Sequence, residues 1–539
     1  MTTSPAARPA SPRDAGAPRP IIRVADELGL LADEVELHGR LLAKVSLSAL
    51  ARLADAPLGR LVLVTAMTPT PLGEGKTTTA IGLADGLATL GLRSIVTLRQ
   101  PTLGPVFGLK GGAAGAGRAS LVPRQEVNLH LTGDAYAVGA AHNLAAAVLD
   151  AHLYHGNGLG IDPATITWPR VTDHNDRALR RARIAIGDAG ERDATWEITS
   201  ASEVMAILAL ASGIVDLRRR LGRIVVAHRF DGRPVTLDDL RVAGAMAALL
   251  RDALRPTLLQ TAEGTPAFVH AGPFANIAHG TSSILADRLA LRLADVVVTE
   301  AGFAAELGAE KFFDIKCRVG GLRAAVAVVV ATTRALERHG AENLAQHVAT
   351  VHRFGVPCAV ALNVFPGDTP EQVAAALTAA REAGAEAAHA TRHVASGAAG
   401  ARRLAEAVAD LSLRPSTPEL LYPDDLPLRA KVERIATQLY GADGVDWAPQ
   451  ALRALDGLQA DGHGTLPVCI AKTPLSLSHD PKRTGRPRAY RMPVRRVRLF
   501  AGAGFVTVYA GAVQTLPGLP ADPAAARVEL EPDGTIVGV

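Results

Sequence analysis

The chain has few of the residues that would staple, anchor or metallate it. Only three cysteines, Cys317, Cys358 and Cys469, occur in 539 residues, far apart and without C-x-x-C spacing. They exclude a disulfide framework and a cysteine zinc site and fit free thiols in a reducing compartment. No uncharged apolar run reaches about 18 residues, so no membrane span is expected. No Lys/Arg run is long enough to form a nucleic-acid stripe, and 57 basic against 53 acidic residues leave a net charge of only +4. The sequence pI of about 9.0 therefore argues for no nucleic-acid partner. His270 and His279 have no carboxylate or histidine at ligand spacing and are expected to line a site or the core. No repeat at solenoid spacing occurs. Residues 1–22 are rich in Pro, Ala and Arg and open as a disordered tail, and the expected location is cytoplasmic.

What is present is organised around LVLVTAMTPTPLGEGKTTTAIGLADGL, from Leu61 to Leu87. Leu61 to Ala66 is a short apolar run, as in a buried parallel strand. Thr68 to Gly75 is dense in Pro, Thr and Gly and reads as a tight loop. From Lys76 the apolar spacing becomes helical, with Ala80, Ile81, Ala84, Leu87 and Ala88 on one face. Strand, glycine loop and Lys-Thr opening a helix form the layout of a phosphate-binding loop. A helix start carries unpartnered N–H groups and partial positive charge, and glycines let backbone wrap a polyphosphate. Thr70, Pro71, Leu72, Gly73, Glu74, Gly75, Lys76 and Thr77 are the expected ATP-binding residues. Lys76 would reach the β- and γ-phosphates, and the Thr77 hydroxyl would sit on Mg²⁺. The general pattern asks for glycine at position 70, where this chain has Thr70. An ordinary strand-to-helix turn is the plain alternative.

Helical and apolar-strand patterns alternate along the rest of the chain. Val24 to Asp55 reads as helix and Arg93 to Leu98 as a second strand, ending in Arg99-Gln100-Pro101. Ligands in open α/β sheets sit beyond the carboxyl ends of strands, which places Arg99 near whatever the glycine loop holds. The glycine-rich stretch Gly104 to Ser120, with Lys110, suits a packed loop. Asp134 looks buried. Strands are expected at Ala267–His270, Asp295–Glu300, Ala324–Ala331 and Cys358–Leu362, separated by helices, and AGFAAELGAEKFFDIKCR as a loop leading into an amphipathic helix. The expected fold class is α/β, a doubly wound, mostly parallel P-loop sheet with two smaller α/β domains. The expected boundaries are a tail at 1–22, a nucleotide-binding domain at 23–351, a second α/β domain at 352–455 and a small C-terminal domain at 456–539.

TPTPLGEGKTTTAIGLADGL is followed in order by PTLGPVFGLKGGAAGAG, NLHLTGD, DHNDRALR, ITSASEVMAILALA, TPAFVHAGPFANIAHG, VTEAGFAAELGAEKFFDIKCR, CIAKTPLSLSHDP and QTLPGLPADPAA. This series resembles the formate–tetrahydrofolate ligase family, with this chain a divergent member. The resemblance covers the chain from about Val24 to its end and accepts Thr70 at the head of the loop. It implies ligation of formate to tetrahydrofolate at the expense of Mg-ATP, through formyl phosphate, giving 10-formyltetrahydrofolate, ADP and phosphate. It further implies a role for a monovalent cation, and a homo-oligomer, a tetramer in prokaryotes. Catalytic roles fall on Lys76, Arg99 and Asp134. Arg99 would clamp formate and formyl phosphate, Asp134 would partner the folate amine or order the site, and the 352–455 segment would contribute to the folate site. Phe365 matches one of two aromatics that sandwich the pterin.

The chain departs from the family at positions near the acceptor. Val394 stands where the second sandwich aromatic, a Trp, is usual, Gln100 where Glu often follows the clamp arginine, and Arg118 where Tyr closes the glycine-rich signature. VATTRALERHGA is followed by a segment roughly twenty residues shorter than usual. These departures motivate a second reading, a paralogue that keeps ATP binding and has lost or changed the folate acceptor site.

Overall fold

The computed structural model describes residues 17–108, 113–187, 190–511 and 513–538. Lys110 and most of the expected tail lie outside the described residues. The part of the tail inside them is docked. Arg19 pairs with Glu27 at 2.5 Å and donates to the Gly264 carbonyl at 2.6 Å, and Ile21, 1% exposed, starts a helix.

One 12-stranded sheet dominates. In chain order its strands are β1 (Val35–His38), β2 (Leu42–Val45), β3 (Arg60–Ala66), β4 (Ser94–Leu98), β5 (Gly115–Ala116) and β6 (Ala119–Val122). Then come β7 (Thr257–Thr261), β8 (Pro266–Val269), β9 (Val296–Glu300), β10 (Ala324–Ala331), β11 (Cys358–Asn363) and β12 (Ala387–Thr391). The order across the sheet is β1-β2-β7-β8-β4-β9-β3-β10-β11-β12, with β6 on β7 and β5 on β6. Every neighbouring pair from β8 to β12 is parallel, and the β1–β2–β7–β8 side is antiparallel. All the parallel carboxyl ends therefore open on one edge.

Both faces of the parallel part are buried, as continuous apolar strands require. Side chains alternate across a strand. Leu61 and Leu63 of β3 pack with Ala286, Leu289, Leu344 and Val348. Val62, Val64 and Ala66 face Ala80, Ile81 and Ala84 of α1 (Lys76–Thr89). α2 (Asp134–Tyr154) belongs to a separate cluster, and α3 (Ala398–Leu411) covers α1 through Leu404 and Ala405.

Three expectations are corrected. Val24–Asp55 is mostly not helix: after Ile21–Glu27 it forms the β1–β2 hairpin and a short helix, Ser48–Arg52. Gly39 turns the hairpin at φ 77°, and pairing on β7 buries Ala43, so tertiary contact outweighs helix propensity. A boundary at 351/352 would cut between β10 and β11, which pair from Ala327↔Cys358 to Ala331↔Leu362. The expected second α/β unit thus supplies strands to the first sheet. A boundary at 455/456 falls inside the helix Pro449–Leu458. The C-terminal strands Val468–Ala471, Arg496–Phe500 and Phe505–Tyr509 do form their own sheet, yet Val468, Ile470 and Val506 join the core of the large one. Third, the expected amphipathic helix after β9 has no solvent face. It takes wide π turns over Ala305–Ala309 and Phe312–Cys317, and all residues of both turns are buried. Several of its charges find partners inside: Lys316 lies 2.7 Å from Asp287, Lys472 lies 3.0 Å from Glu306, and Lys311 donates to the Ala275 carbonyl at 2.8 Å, while neither oxygen of the buried Glu310 has a hydrogen-bond partner among the described residues.

Close packing of α1 against its cover depends on glycine. A Cβ on Gly82 would sit 2.5 Å from the His393 Cβ, and one on Gly86 would sit 3.0 Å from the Ala405 Cβ. Gly82→Ala is expected to destabilise the protein by about 1–3 kcal/mol through overpacking. Denaturant titration checks this, and an unchanged midpoint would contradict the packing described.

Candidate active site

β3 delivers the chain to the carboxyl edge, where residues 67–75 form the glycine loop. The positions that turn left-handed are Gly73 and Gly75, both at φ 77°. Thr70 keeps ordinary negative φ, so this loop has no need of glycine there. Instead the Thr70 N–H donates to Glu74 Oε1 at 2.6 Å. Glu74 is 1% exposed and acts as an internal brace. Its Oε2 accepts from the Thr332 hydroxyl at the end of β10 and lies 3.4 Å from Arg334 Nε. Arg334 also donates to the Gly73 carbonyl. From β11, Asn363 Nδ2 donates to the Glu74 carbonyl at 2.8 Å. Pro71 and Leu72 form the exposed tip. Gly75 caps α1, and Lys76 and Thr77 begin it.

Arg99 follows β4 and is 27% exposed at its side chain. Nη1 donates to the Pro273 carbonyl at 3.3 Å, and Nη2 lies 3.7 Å from Glu300 Oε1. Nε is buried with no hydrogen-bond partner among the described residues. Burial pulls the guanidinium pKa down, and Glu300 offsets this only in part. Glu300 closes β9, the strand between β4 and β3. Its other oxygen accepts from the Thr77 hydroxyl at 2.5 Å. One carboxylate therefore joins the arginine to the loop-side threonine. Among the described residues no group of three or more His, Cys, Asp or Glu could hold a metal alone. Paired hydroxyl and carboxylate oxygens nevertheless suit a hard cation that takes its remaining ligands from a phosphate and water.

Gln100 is 4% exposed, with its N–H on the Ala271 carbonyl at 2.8 Å and Oε1 unpartnered. Phe365 follows β11. Its N–H donates to Asp368 at 2.7 Å, and the Arg334 guanidinium lies over its ring, 4.3 Å from the centroid. Val394 follows β12 and is 39% exposed. Its carbonyl accepts from Arg118 N–H at 3.0 Å, and a Cβ on Gly117 would collide with it. Arg118 pairs with Glu263 at 2.8 Å, and Glu263 accepts from Ala398 N–H at 2.9 Å. Arg118 thus closes the glycine-rich segment onto the Val394 turn.

The loop, Arg99, Gln100, Phe365 and Val394 all lie at the ends of parallel strands or just beyond them. Asp134 sits farther along the same edge, on Lys44, which is in register through Thr257 and Val269 with Leu98. Both its oxygens accept from Lys44, at 2.6 and 2.7 Å, with side-chain exposures of 2% and 1%. Lys44 also donates to the Arg255 carbonyl at 2.8 Å. Burial pushes the Asp134 pKa up and the Lys44 pKa down against their mutual attraction. The Asp134 carboxylate is thus held in a buried ion pair with Lys44. Sequence reasoning missed Glu300, Thr332, Arg334 and Asn363. Each lies at or within three residues of the end of a legible strand, so the argument that singled out Arg99 would have found them.

His270 and His279 are both fully buried. His270 bonds to Ser283 and the Ala253 carbonyl at 2.6 Å each, while both ring nitrogens of His279 have no partner among the described residues.

The geometry defines an α/β protein whose candidate site collects a glycine loop, a helix start, a guanidinium and a carboxylate at the carboxyl edge of a parallel sheet. The family model described as "Formate--tetrahydrofolate ligase" matches residues 13–539, and the chain belongs to that family. A relative named formate–tetrahydrofolate ligase from Roseiflexus sp. is 52% identical over 550 residues, covering 97% of this chain and 98% of the relative. Relatives of the same name from Saccharopolyspora erythraea and Paracoccus denitrificans are each 50% identical, covering 97% and 96% of this chain and 97% of their own lengths. No helix among the described residues is long and apolar enough to cross a membrane.

Breaking a buried pair leaves a charge unpaired and costs about 3–5 kcal/mol. Asp134→Asn is therefore expected to lower the melting temperature sharply, and Asp134→Asn with Lys44→Met to recover most of the loss. A single variant that stays as stable as the parent yet loses activity would assign Asp134 to the chemistry.

Proposed function

We propose that this chain catalyses the ATP-dependent ligation of formate to tetrahydrofolate, giving 10-formyltetrahydrofolate, ADP and phosphate. The observation that carries this reading is the Glu300 bridge, with one oxygen 3.7 Å from Arg99 and the other 2.5 Å from Thr77. A guanidinium fork beside the helix start that follows a phosphate-type loop supports a transfer between a carboxylate and a nucleotide. The loop from Thr70 to Thr77 wraps the polyphosphate, with the N–H groups at the start of α1 turned to it, and Lys76 places its ammonium on the β- and γ-phosphates. Thr77 and Glu300 would hold Mg²⁺ through their oxygens, where it would supply charge neutralisation. Arg99 presents its planar fork to formate, whose shape it matches bidentately.

A formate oxygen attacks the γ-phosphorus in line, the bond to the β,γ-bridging oxygen breaks, and ADP leaves with the bonding pair. Such transfers depend on positioning and electrostatic stabilisation more than on covalent help. Arg99 then holds the formyl phosphate while N10 of tetrahydrofolate attacks the formyl carbon, phosphate leaves and N10 loses its proton. Phe365 offers one aromatic face to the pterin, with Arg334 over its ring. Val394 offers an aliphatic contact where a second ring would stack, and Gln100 lies beside the clamp arginine. A homo-oligomer and a monovalent-cation requirement belong to this reading by family membership. Valine at position 394, which cannot stack as an indole does, is what supports the second reading, in which ATP use survives with a weakened or altered acceptor.

Product is read after acidification, which converts the 10-formyl compound to the 5,10-methenyl form that absorbs in the near ultraviolet. Arg99→Ala is expected to lower kcat by about 100-fold or more while the KM for ATP changes little, as for loss of one transition-state donor. Lys76→Ala is expected to abolish turnover with the fold intact. Near-normal rates in either variant would refute its role. Val394→Trp is expected to tighten tetrahydrofolate by about 5- to 150-fold, the equivalent of about 1–3 kcal/mol of stacking. An unchanged folate KM would show that the pterin does not bind there. Formate-dependent ATP hydrolysis without any folate dependence would favour the altered-acceptor reading.

A further inference from the structure

The glycine loop is held at its first residue by groups that the function above does not use. Thr68 is where the chain leaves β3, two residues before Thr70. Its N–H donates to His347 Nε2 at 3.0 Å, and its hydroxyl lies 3.0 Å from the same nitrogen. Asn343 accepts from the same N–H at 3.2 Å and donates to the hydroxyl at 2.9 Å. Because Nε2 accepts an N–H, it carries no proton, so the proton of the neutral ring is on Nδ1. Nδ1 lies 3.5 Å from Glu306 Oε2, a contact longer than the bonds at Thr68, and neither atom makes a hydrogen bond among the described residues. The other Glu306 oxygen accepts from Lys472 at 3.0 Å. Lys472 also donates to the carbonyls of Thr473 and Ser476, at 3.1 and 2.6 Å.

His347, Glu306 and Lys472 are all 0% exposed. Burial holds the His347 pKa down to about 4, so the ring is neutral near pH 7 and Nε2 can accept. Burial opposes ionisation of Glu306, but the Lys472 ammonium beside it outweighs burial and holds its pKa below the ordinary value. The line crosses the molecule: Lys472 follows a strand of the C-terminal sheet, Glu306 sits in the first π turn, and His347 lies on the helix Ala341–Arg353.

We propose that His347 is a positioning residue for the nucleotide: its Nε2 fixes Thr68 at the start of the loop, Glu306 sets the ring face presented, and Lys472 holds Glu306. The loop's role with ATP rests on the function proposed above; the positioning of the loop does not. The C-terminal segment thereby acts on the shape of the loop through buried polar contacts rather than by touching the nucleotide. Displacing Thr68 displaces Thr70, whose N–H must meet Glu74 for the two left-handed glycines to follow.

The test uses the full-length protein, His347→Gln and His347→Asn. A glutamine amide reaches the Nε2 position and can accept from Thr68 N–H, whereas asparagine reaches only the Nδ1 position. Hydrogen exchange of peptides spanning residues 67–77, without ligands, reads the loop directly. Asparagine is expected to speed that exchange about tenfold or more, and glutamine to stay within about threefold of the parent. The KM for Mg-ATP is expected to rise about tenfold in the asparagine variant only, with the KM values for formate and tetrahydrofolate within about twofold. Equal exchange in the parent and the asparagine variant, or equal loosening in both variants, overturns the proposal. A loop that loosens without any change in the KM for ATP contradicts the nucleotide reading and leaves the loop contact standing. Should His347→Asn not fold, Glu306→Gln replaces it, with about a threefold faster loop exchange expected and no change overturning the relay.

Discussion

The site depends on one buried carboxylate. A loop that leaves a β-strand, turns left-handed at Gly73 and Gly75 and starts a helix must hold its backbone polar groups in an unusual path. Glu74 does this from inside. One oxygen takes the Thr70 N–H, and the other takes the Thr332 hydroxyl, with Arg334 alongside. A buried carboxylate without such donors would be costly, so the loop and the ends of β10 and β11 form one polar unit. The loop is therefore shaped before any ligand arrives, as electrostatic preorganisation requires.

The same constraint explains why the large sheet is continuous. Thr332 and Arg334 lie just beyond β10, and Asn363 ends β11, so the residues that brace the loop come from the next two strands on one side of β3. On the other side β9 supplies Glu300 and β4 leads into Arg99. Small and β-branched strands buried on both faces bring all these ends to one edge. The chemistry is assembled from strand ends because the sheet leaves no other common meeting place.

Much of this was legible. β10 occupies Ala324–Ala331, the apolar run itself, and β3, β4, β9 and β11 lie within one residue of theirs. Continuous apolar runs bounded by turn residues are the strongest local signal for buried parallel strands. Val24–Asp55 was not legible, because its leucines and valines satisfy helical spacing while the strand on which the hairpin docks, β7, lies more than two hundred residues away. The join of β10 to β11 was obscured in the same way, since pairing between strands leaves no mark at a fixed spacing. Within the site, Arg99, the loop and Phe365 could be placed from motifs. The partner of Asp134 was not legible, because a buried acid looks alike whether it awaits a substrate or a lysine, and Lys44 lies on a distant strand. Thr70 is tolerated for a reason no pattern states, namely that its φ stays negative.

The most direct test of the account asks whether formate and the nucleotide meet at this edge before folate takes part. ATP labelled with ¹⁸O in the β,γ-bridge is incubated with the protein, Mg²⁺ and formate in the absence of tetrahydrofolate. If formate attacks the γ-phosphorus reversibly between Arg99 and Thr77, the label scrambles into the non-bridging β positions, and only when formate is present. Scrambling independent of formate, or none while complete ligation proceeds, would contradict an acyl phosphate formed at the Arg99–Glu300–Thr77 edge.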